Sequence, residues 1–319
     1  MQKIGLGNTD KQISCMGLGT MYFGSKIDEQ TSFSLLNLYF EQGGILLDSA
    51  NKYASWIPGC EGGESERLIG KWLRQKVNRD KIFLTSKVGF PYGKIPRSLK
   101  KDIIISECER SLQRLQTETI DLYFAHTYDP ETTSEEVMEA FFTLKKQGKI
   151  RFAGASNYLG WQLAEAALAA NKYGFEGFTS LQQRHTYLEP GLRANFGTQI
   201  LLSPETIQYC KKQNITIMAY SPLLGGVYVK SDKVLPVQYQ SASNDFRMKN
   251  LKQLAEELNV SPNGVVLRWM MQSSLKVIPL VTGSSVTQLK ENMEALNFIL
   301  NKDQIALLNM EISQPAKYL

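Results

Sequence analysis

Short apolar runs alternate along the chain with stretches whose apolar residues recur at helical spacing, from about residue 15 to residue 300. The runs predict strands over 15–19, 44–48, 81–86, 120–125, 150–155, 178–182, 215–219 and 277–281. Helices are predicted over 29–42, 63–77, 97–115, 134–147, 159–173, 203–213, a pair over 246–258 and 261–273, and 286–300. Boundary chemistry agrees with this reading. Thr133-Ser134-Glu135-Glu136 places hydroxyl caps and acids at a helix start, lysines and then Gly148 close that helix, and Ser261-Pro262 sets a cap before a first-position proline. Strand followed by helix, eight times over, predicts an α/β fold whose parallel sheet closes into a (β/α)8 TIM barrel, one domain over 1–319. An open doubly wound sheet is the rival. It would carry a Gly-x-Gly-x-x-Gly turn for a dinucleotide, and the nearest candidate, Gly17-Leu-Gly-Thr-Met-Tyr22, lacks the third glycine. Ahead of the first barrel strand, a turn-rich stretch over 5–10 between two short runs predicts a β-hairpin closing the barrel's bottom. Two connections, 189–202 and 223–244, are longer than a closed barrel requires and are candidates for binding loops.

Composition narrows the partners. A hydrophobic share of 43% and a charged share of 21% are those of a globular protein with a sizeable core. The formal charge of +5 is spread out, with no run of five basic residues, so nucleic acid is not an expected partner and a mildly positive surface suits an anionic cofactor. Cys15, Cys60, Cys108 and Cys210 match no metal-site or C-x-x-C spacing; reduced thiols and no metal are expected. Nothing resembles a leader peptide or a membrane span, so a soluble cytoplasmic protein without membrane partners is expected, of undetermined oligomeric state.

In a barrel of this kind the C-terminal strand ends face the active site. Asp48, Lys87 and His126 stand at the ends of predicted strands two, three and four, and Tyr53 follows one short loop after Asp48. A carboxylate, an ammonium, an imidazole and a phenol on one rim would make a proton-donating site. A free phenol has a pKa of about 10, and a neighbouring Lys87 cation is expected to lower it and make Tyr53 a usable general acid. Asp48 would hold Lys87, and His126 would orient a substrate oxygen. A lone histidine or strand-end tyrosine is commonly only core; it is the coincidence of several polar strand ends that points to chemistry.

These residues, with Thr85-Ser-Lys87, Ala125-His126, Ser156-Asn157, Leu-Gln182, Ala-Tyr220-Ser221-Pro222-Leu223 and Gln288-Leu-Lys-Glu291-Asn292, make nearly the whole chain resemble the aldo-keto reductase superfamily. The resemblance implies that Asp48, Tyr53, Lys87 and His126 form a catalytic tetrad reducing an aldehyde or ketone, with NADPH as cofactor and NADH as the alternative. It further implies that Ser156, Asn157 and Gln182 hold the nicotinamide carboxamide, with Asp48 beside it. Tyr220 would stack on the ring, and Thr20 and Met21 would meet the ribose. Ser221, Leu223 and Gly225 would cover the pyrophosphate. Ser284, with Gln288, Glu291 and Asn292, would form the adenosine 2′-phosphate site, where some members have arginine in place of Gln288. Tyr22, Tyr53, Trp56, Phe90, His126, Tyr128 and Tyr158 are the expected substrate lining; with the polar insert over 54–63 they suit a sugar or other polyhydroxy carbonyl, or an aromatic aldehyde. Two other functions fit part of the pattern: a barrel aldolase with Lys87 as Schiff base, and a cofactor-holding sensor of the kind found among potassium-channel β subunits.

Overall fold

The computed structural model describes residues 1–76, 79–230, 232–272 and 277–311. The predicted helix ends at 77 and 273, position 231 of the second long connection, and the tail 312–319 of the expected domain lie outside the described residues. Eight parallel strands close into a barrel: β3 (Gly17–Gly19), β4 (Leu46–Asp48), β5 (Phe83–Val88), β6 (Ile120–Ala125), β7 (Ile150–Ser156), β8 (Phe178–Arg184), β9 (Thr216–Tyr220) and β10 (Ile278–Val281), with β10 pairing back onto β3. Ahead of them β1 (Lys3–Gly5) and β2 (Gln12–Ser14) form the antiparallel hairpin.

Period-two alternation divides the side chains between two cores. Leu46, Phe83, Leu122, Phe124, Phe152, Met218, Ile278 and Leu280 fill the barrel interior, and Leu6 and Ile13 of the hairpin segment cap that cluster from below. The alternate residues, such as Leu47, Leu84, Tyr123, Ala153, Leu181 and Ile217, face the helices and join the larger outer core. Phe124 dictates a local sequence choice. A Cβ at Gly154, on the neighbouring strand, would stand 2.5 Å from its ring, so only glycine fits there. The same parity carries upward. Asp48 continues the face of Leu46, Lys87 that of Phe83 and Thr85, Ser156 that of Phe152, and Tyr220 that of Met218, so these polar residues point into the barrel mouth.

Around the barrel lie α1 (Glu29–Glu41), α2 (Glu64–Lys76), α3 (Lys101–Leu115), α4 (Ser134–Lys146), α5 (Gly160–Asn171), α6 (Pro204–Gln213), α7 (Ala242–Leu258), α8 (Pro262–Gln272), α9 (Val286–Met293) and α10 (Lys302–Asn309). Asp28, Thr133, Ser203, Ser241, Ser285 and Asn301 cap their helices by accepting a backbone N–H three residues on, each worth about 1 kcal/mol.

Several boundaries differ from the sequence reading, among them the start of α3 at Lys101 rather than 97 and β5 over Phe83–Val88 rather than 81–86, and three have a visible cause. Helix α7 begins at Ala242 rather than 246, because Ser241 caps it and buried Asn244 ties its first turn to the carbonyls of Glu189 and Tyr239. The stretch predicted as one helix over 286–300 is α9 followed by a 3-10 turn over Glu294–Leu296. Helix α10, which was not predicted, is short. Asn301 and Gln304 form its capping box, and a guanidinium nitrogen of Arg247 reaches the carbonyl of Leu308.

Candidate active site

Asp48 is the hub of the barrel mouth. Its Oδ2 accepts from Lys87 Nζ at 2.7 Å and from Tyr53 Oη at 3.2 Å, and its Oδ1 accepts from Thr85 Oγ1 and Gln182 Nε2, both at 2.8 Å. Lys87 is fully buried, and its ammonium donates to three oxygens: Asp48 Oδ2, the Ser49 carbonyl at 2.7 Å and Tyr53 Oη at 2.8 Å. Strands place these groups. Asp48 pairs with Thr85 across β4 and β5, and Thr85 shares a face with Lys87 two residues on.

Tyr53 arrives on a turn, held by its N–H to the Ala50 carbonyl, and Ala54 after it takes a left-handed conformation (φ 72°). His126 follows β6, its N–H donating to the Val88 carbonyl at 2.7 Å, and its ring meets the edges of Tyr53 (6.1 Å between centroids) and Phe90 (4.8 Å). His126 Nδ1 is buried with no hydrogen-bond partner among the described residues.

Charge follows burial. Burial, then the charge of Asp48 and its hydrogen bond, pushes the Tyr53 phenol well above its ordinary range. That is opposite to the lowering expected from Lys87: burial disfavours the phenolate, and the Asp48 carboxylate that pairs with the ammonium at 2.7 Å also touches the phenol. Burial depresses Lys87, and Asp48 opposes that. Burial, with the charges of Lys87 and Lys52, holds His126 well below the usual imidazole range, hence neutral. The arrangement can keep a proton loaded on Tyr53 beside a neutral imidazole.

The structure does not bring every sequence candidate to this cluster. Tyr128 packs against Tyr158 and Trp161, and buried Tyr158 packs on Phe178 in the outer core. Trp56 and Phe90 lie at the mouth under Lys52 Nζ, 5.7 and 4.5 Å from their ring centroids, and Tyr22 lies under Lys26. Buried Thr20 turns its hydroxyl to the Asp48 carbonyl and Ser65. Met21 beside it is half-buried.

Several residues suited to a dinucleotide adjoin this cluster. Tyr220 Oη donates to Asn157 Oδ1 at 2.7 Å, and Asn157, in a left-handed conformation, donates to Ser156 Oγ and the His126 carbonyl. Gln182 is engaged with Asp48. Ser221, Leu224, Gly225 and Gly226 all take positive φ along the loop entered through Leu223, and a Cβ at Gly225 would meet nothing within 4 Å. That open backbone suits close approach of a phosphate group, so the donors present fit a dinucleotide. At α9, Gln288 Oε1 takes both the N–H and the hydroxyl of Ser284 at 2.9 Å, Asn292 binds the Thr282 carbonyl, and Glu291 is exposed.

Comparison with known proteins settles the family. The model of the aldo/keto reductase family matches residues 15–310. The chain belongs to the aldo/keto reductase family. It is 30% identical to the uncharacterized oxidoreductase YrpG of Bacillus subtilis (strain 168), over 95% of this chain and 94% of that protein. Norsolorinic acid reductase A of Aspergillus parasiticus is 28% identical over 92% of this chain and 76% of its own length, and the aryl-alcohol dehydrogenase [NADP(+)] of Phanerodontia chrysosporium is 26% identical over 93% and 82%. The fold matches the crystal structure of the thermostable aldo-keto reductase Tm1743 with a TM-score of 0.77 at 24% identity, covering 97% of this chain and 99% of that one. This aldo-keto reductase is thus an oxidoreductase of a family that acts on carbonyls. No helix among its described residues is long and apolar enough to cross a membrane.

Several site residues were missed in the sequence. Ser49 and Ser65 join Thr20 in a buried hydroxyl chain beneath the tetrad, and Lys52 stands over two mouth aromatics. Behind β5, buried Glu66 accepts from Ser86 and pairs with Arg114, while buried Glu107 accepts from Asn51 and Tyr92. Thr85 was legible, since it lies two residues before Lys87 on one strand; a loop residue such as Lys52 gave no periodic signal.

Proposed function

We propose that this chain reduces an aldehyde or ketone to the alcohol with NADPH, Tyr53 delivering the proton. A bound nicotinamide cofactor supplies the hydride. The observation that carries the reading is the single ammonium of Lys87 held between Asp48 Oδ2 and Tyr53 Oη. Tyr53 Oη donates its proton to the substrate oxygen as that oxygen gains negative charge, and Lys87, fixed by Asp48 and the Ser49 carbonyl, stabilises the phenolate that remains. Neutral His126 offers an N–H to the same oxygen and fixes its orientation. Ser156, Asn157 and Gln182 would hold the carboxamide, Tyr220 the ring face, and the loop at Ser221–Gly225 the pyrophosphate; Thr20, Met21, Ser284, Gln288, Glu291 and Asn292 are the remaining proposed cofactor contacts. Gln182 would exchange its bond to Asp48 for this role.

Aromatic carbonyls are the favoured substrates. Phe90 lies against His126 and shares Lys52 with Trp56, Tyr22 is proposed as a further lining residue, and two relatives are named for an aryl-alcohol and for norsolorinic acid. Polyhydroxy carbonyls are the second class, through the polar insert over 54–63. An aldolase is disfavoured because all three N–H donors of Lys87 are engaged, leaving no free face to attack a carbonyl.

Tyr53→Phe tests the proton donor. Its reduction rate should fall about 10²–10⁴-fold while NADPH binding, read by tryptophan fluorescence, persists; wild-type rates in that variant would remove Tyr53 from the reaction. Running the wild type with NADPH and with NADH tests the phosphate site, and equal efficiency with both would argue against one. Tight NADPH binding with no turnover of any aldehyde would favour a sensor.

A further inference from the structure

Lys52 brings a cation to the mouth of the site. It is half-buried between Asn51 and Tyr53, with Nζ 4.5 Å from the centroid of Phe90 and 5.7 Å from that of Trp56. Phe90 in turn lies 4.8 Å from the His126 ring in an edge-on contact, so one aromatic side chain touches both the ammonium and the imidazole. None of the ion pairs among the described residues includes Lys52, and the carboxylates nearest in the chain are engaged elsewhere. Asp48 holds Lys87, Glu66 holds Arg114 and Glu107 holds Arg110. Glu64 accepts the N–H groups of Glu61 and Gly62 and pairs with Arg67. Glu61 itself is exposed on the insert and forms no ion pair with Lys52.

With Asp48 and Lys87 cancelling and His126 neutral, Lys52 leaves the part of the mouth beside Phe90 and Trp56 with a net positive charge. An unpaired ammonium on two ring faces is costly to bury, and burial depresses its basicity with no carboxylate to offset it. A substrate that brings its own anion would relieve that cost in the bound complex.

Resting on the reductase reading, we infer that Lys52 determines specificity by selecting aromatic aldehydes that carry an anionic group, a carboxylate in the first instance, about one ring's length from the reacting carbonyl. The aryl body lies against Phe90 and Trp56, the carbonyl oxygen meets Tyr53 and His126, and the carboxylate accepts from Lys52 Nζ. Lys52 touches the distant end of the substrate and takes no part in proton transfer.

The probes are 4-carboxybenzaldehyde and its neutral methyl ester, assayed with NADPH in the wild type, Lys52→Met and Lys52→Arg. A charge-assisted hydrogen bond predicts that the wild type favours the acid over the ester by about tenfold in kcat/KM. Lys52→Met should erase that ratio through KM for the acid, and Lys52→Arg should keep it. Because each variant is read as a ratio of two substrates on one preparation, a loss of folded protein does not imitate the effect. Raising the ionic strength should lower the wild-type ratio and leave the Lys52→Met ratio where it is. A wild-type ratio that Lys52→Met does not move overturns the assignment of Lys52 and leaves the reductase reading standing. Turnover of neither aldehyde by the wild type overturns the reductase reading, and this inference with it.

Discussion

Asp48→Asn keeps the shape of the hub and removes its charge, leaving the fully buried Lys87 ammonium with only neutral partners. Breaking a buried ion pair from one side costs about 3–5 kcal/mol, a large part of the roughly 5–15 kcal/mol that typically separates folded from unfolded protein. The cost should depend on pH. Asp48 is the first group opposing the depression of Lys87 by burial, so its removal drives the Lys87 pKa in the folded state further below that of the unfolded chain. The unfolded state then binds more protons, and the stability of the variant should rise with pH. The slope approaches about 1.4 kcal/mol per pH unit between the two pKa values and vanishes above the unfolded value of about 10.4.

Urea unfolding of the wild type, Asp48→Asn, Lys87→Met and the double variant across neutral and alkaline pH measures this. The double variant has no buried charge to strand, so it should recover most of the lost stability and show no such slope, while reductase activity stays absent. A coupling energy near zero, or a pH-independent loss in Asp48→Asn, would refute the picture of a hub that stabilises mainly by neutralising Lys87.

Three further outcomes are expected. Because the Tyr53 phenol is pushed well above its ordinary range, carbonyl reduction, which needs the phenol protonated, should hold level through neutral pH and fall only in strong alkali, whereas alcohol oxidation, which needs the phenolate, should climb with pH; a reduction rate already falling at neutrality would contradict this. The chain has two histidines, His126 and His185, both depressed by burial and His185 to about 4, so an imidazole NMR titration should show neither charging in the normal range near about 6.5; stability they contribute is complete above that pH and is lost as pH falls through their folded values. Exposed Gln116 ends α3 with φ 54°, so Gln116→Gly should raise stability by roughly 0.5–1 kcal/mol in urea unfolding, the left-handed strain outweighing its surface bond to Arg74; a loss would show that bond to dominate.

The barrel was legible because its strands are short apolar runs closed by polar residues, and period two then aims Asp48, Lys87, Ser156 and Tyr220 at one mouth. The proximity of Asp48, Tyr53, Lys87 and His126 followed from the same geometry. What escaped has physical reasons. The upward shift of Tyr53 comes first from its burial and then from the Asp48 carboxylate beside it, a question of ångströms that spacing does not encode. Tyr158 looks like a mouth residue, immediately beyond Ser156 and Asn157, yet the left-handed turn at Asn157 precedes its burial on Phe178. Helix α10 was missed because its eight residues bury only Leu308 and are held largely by a cap.

The hairpin floor has a kinetic consequence. Leu6 and Ile13 seal the lower end of the apolar plug, while Gly7 and Asn8 are stitched to Thr216, Gln213 and Asn214 outside it. With the interior packed down to this floor, the cluster of Asp48 and Lys87 at the strand ends is approached from the mouth. If the proposed cofactor and carbonyl both enter there, the one seated deeper should bind first and leave last, so excess of the outer occupant should trap the inner one and slow turnover.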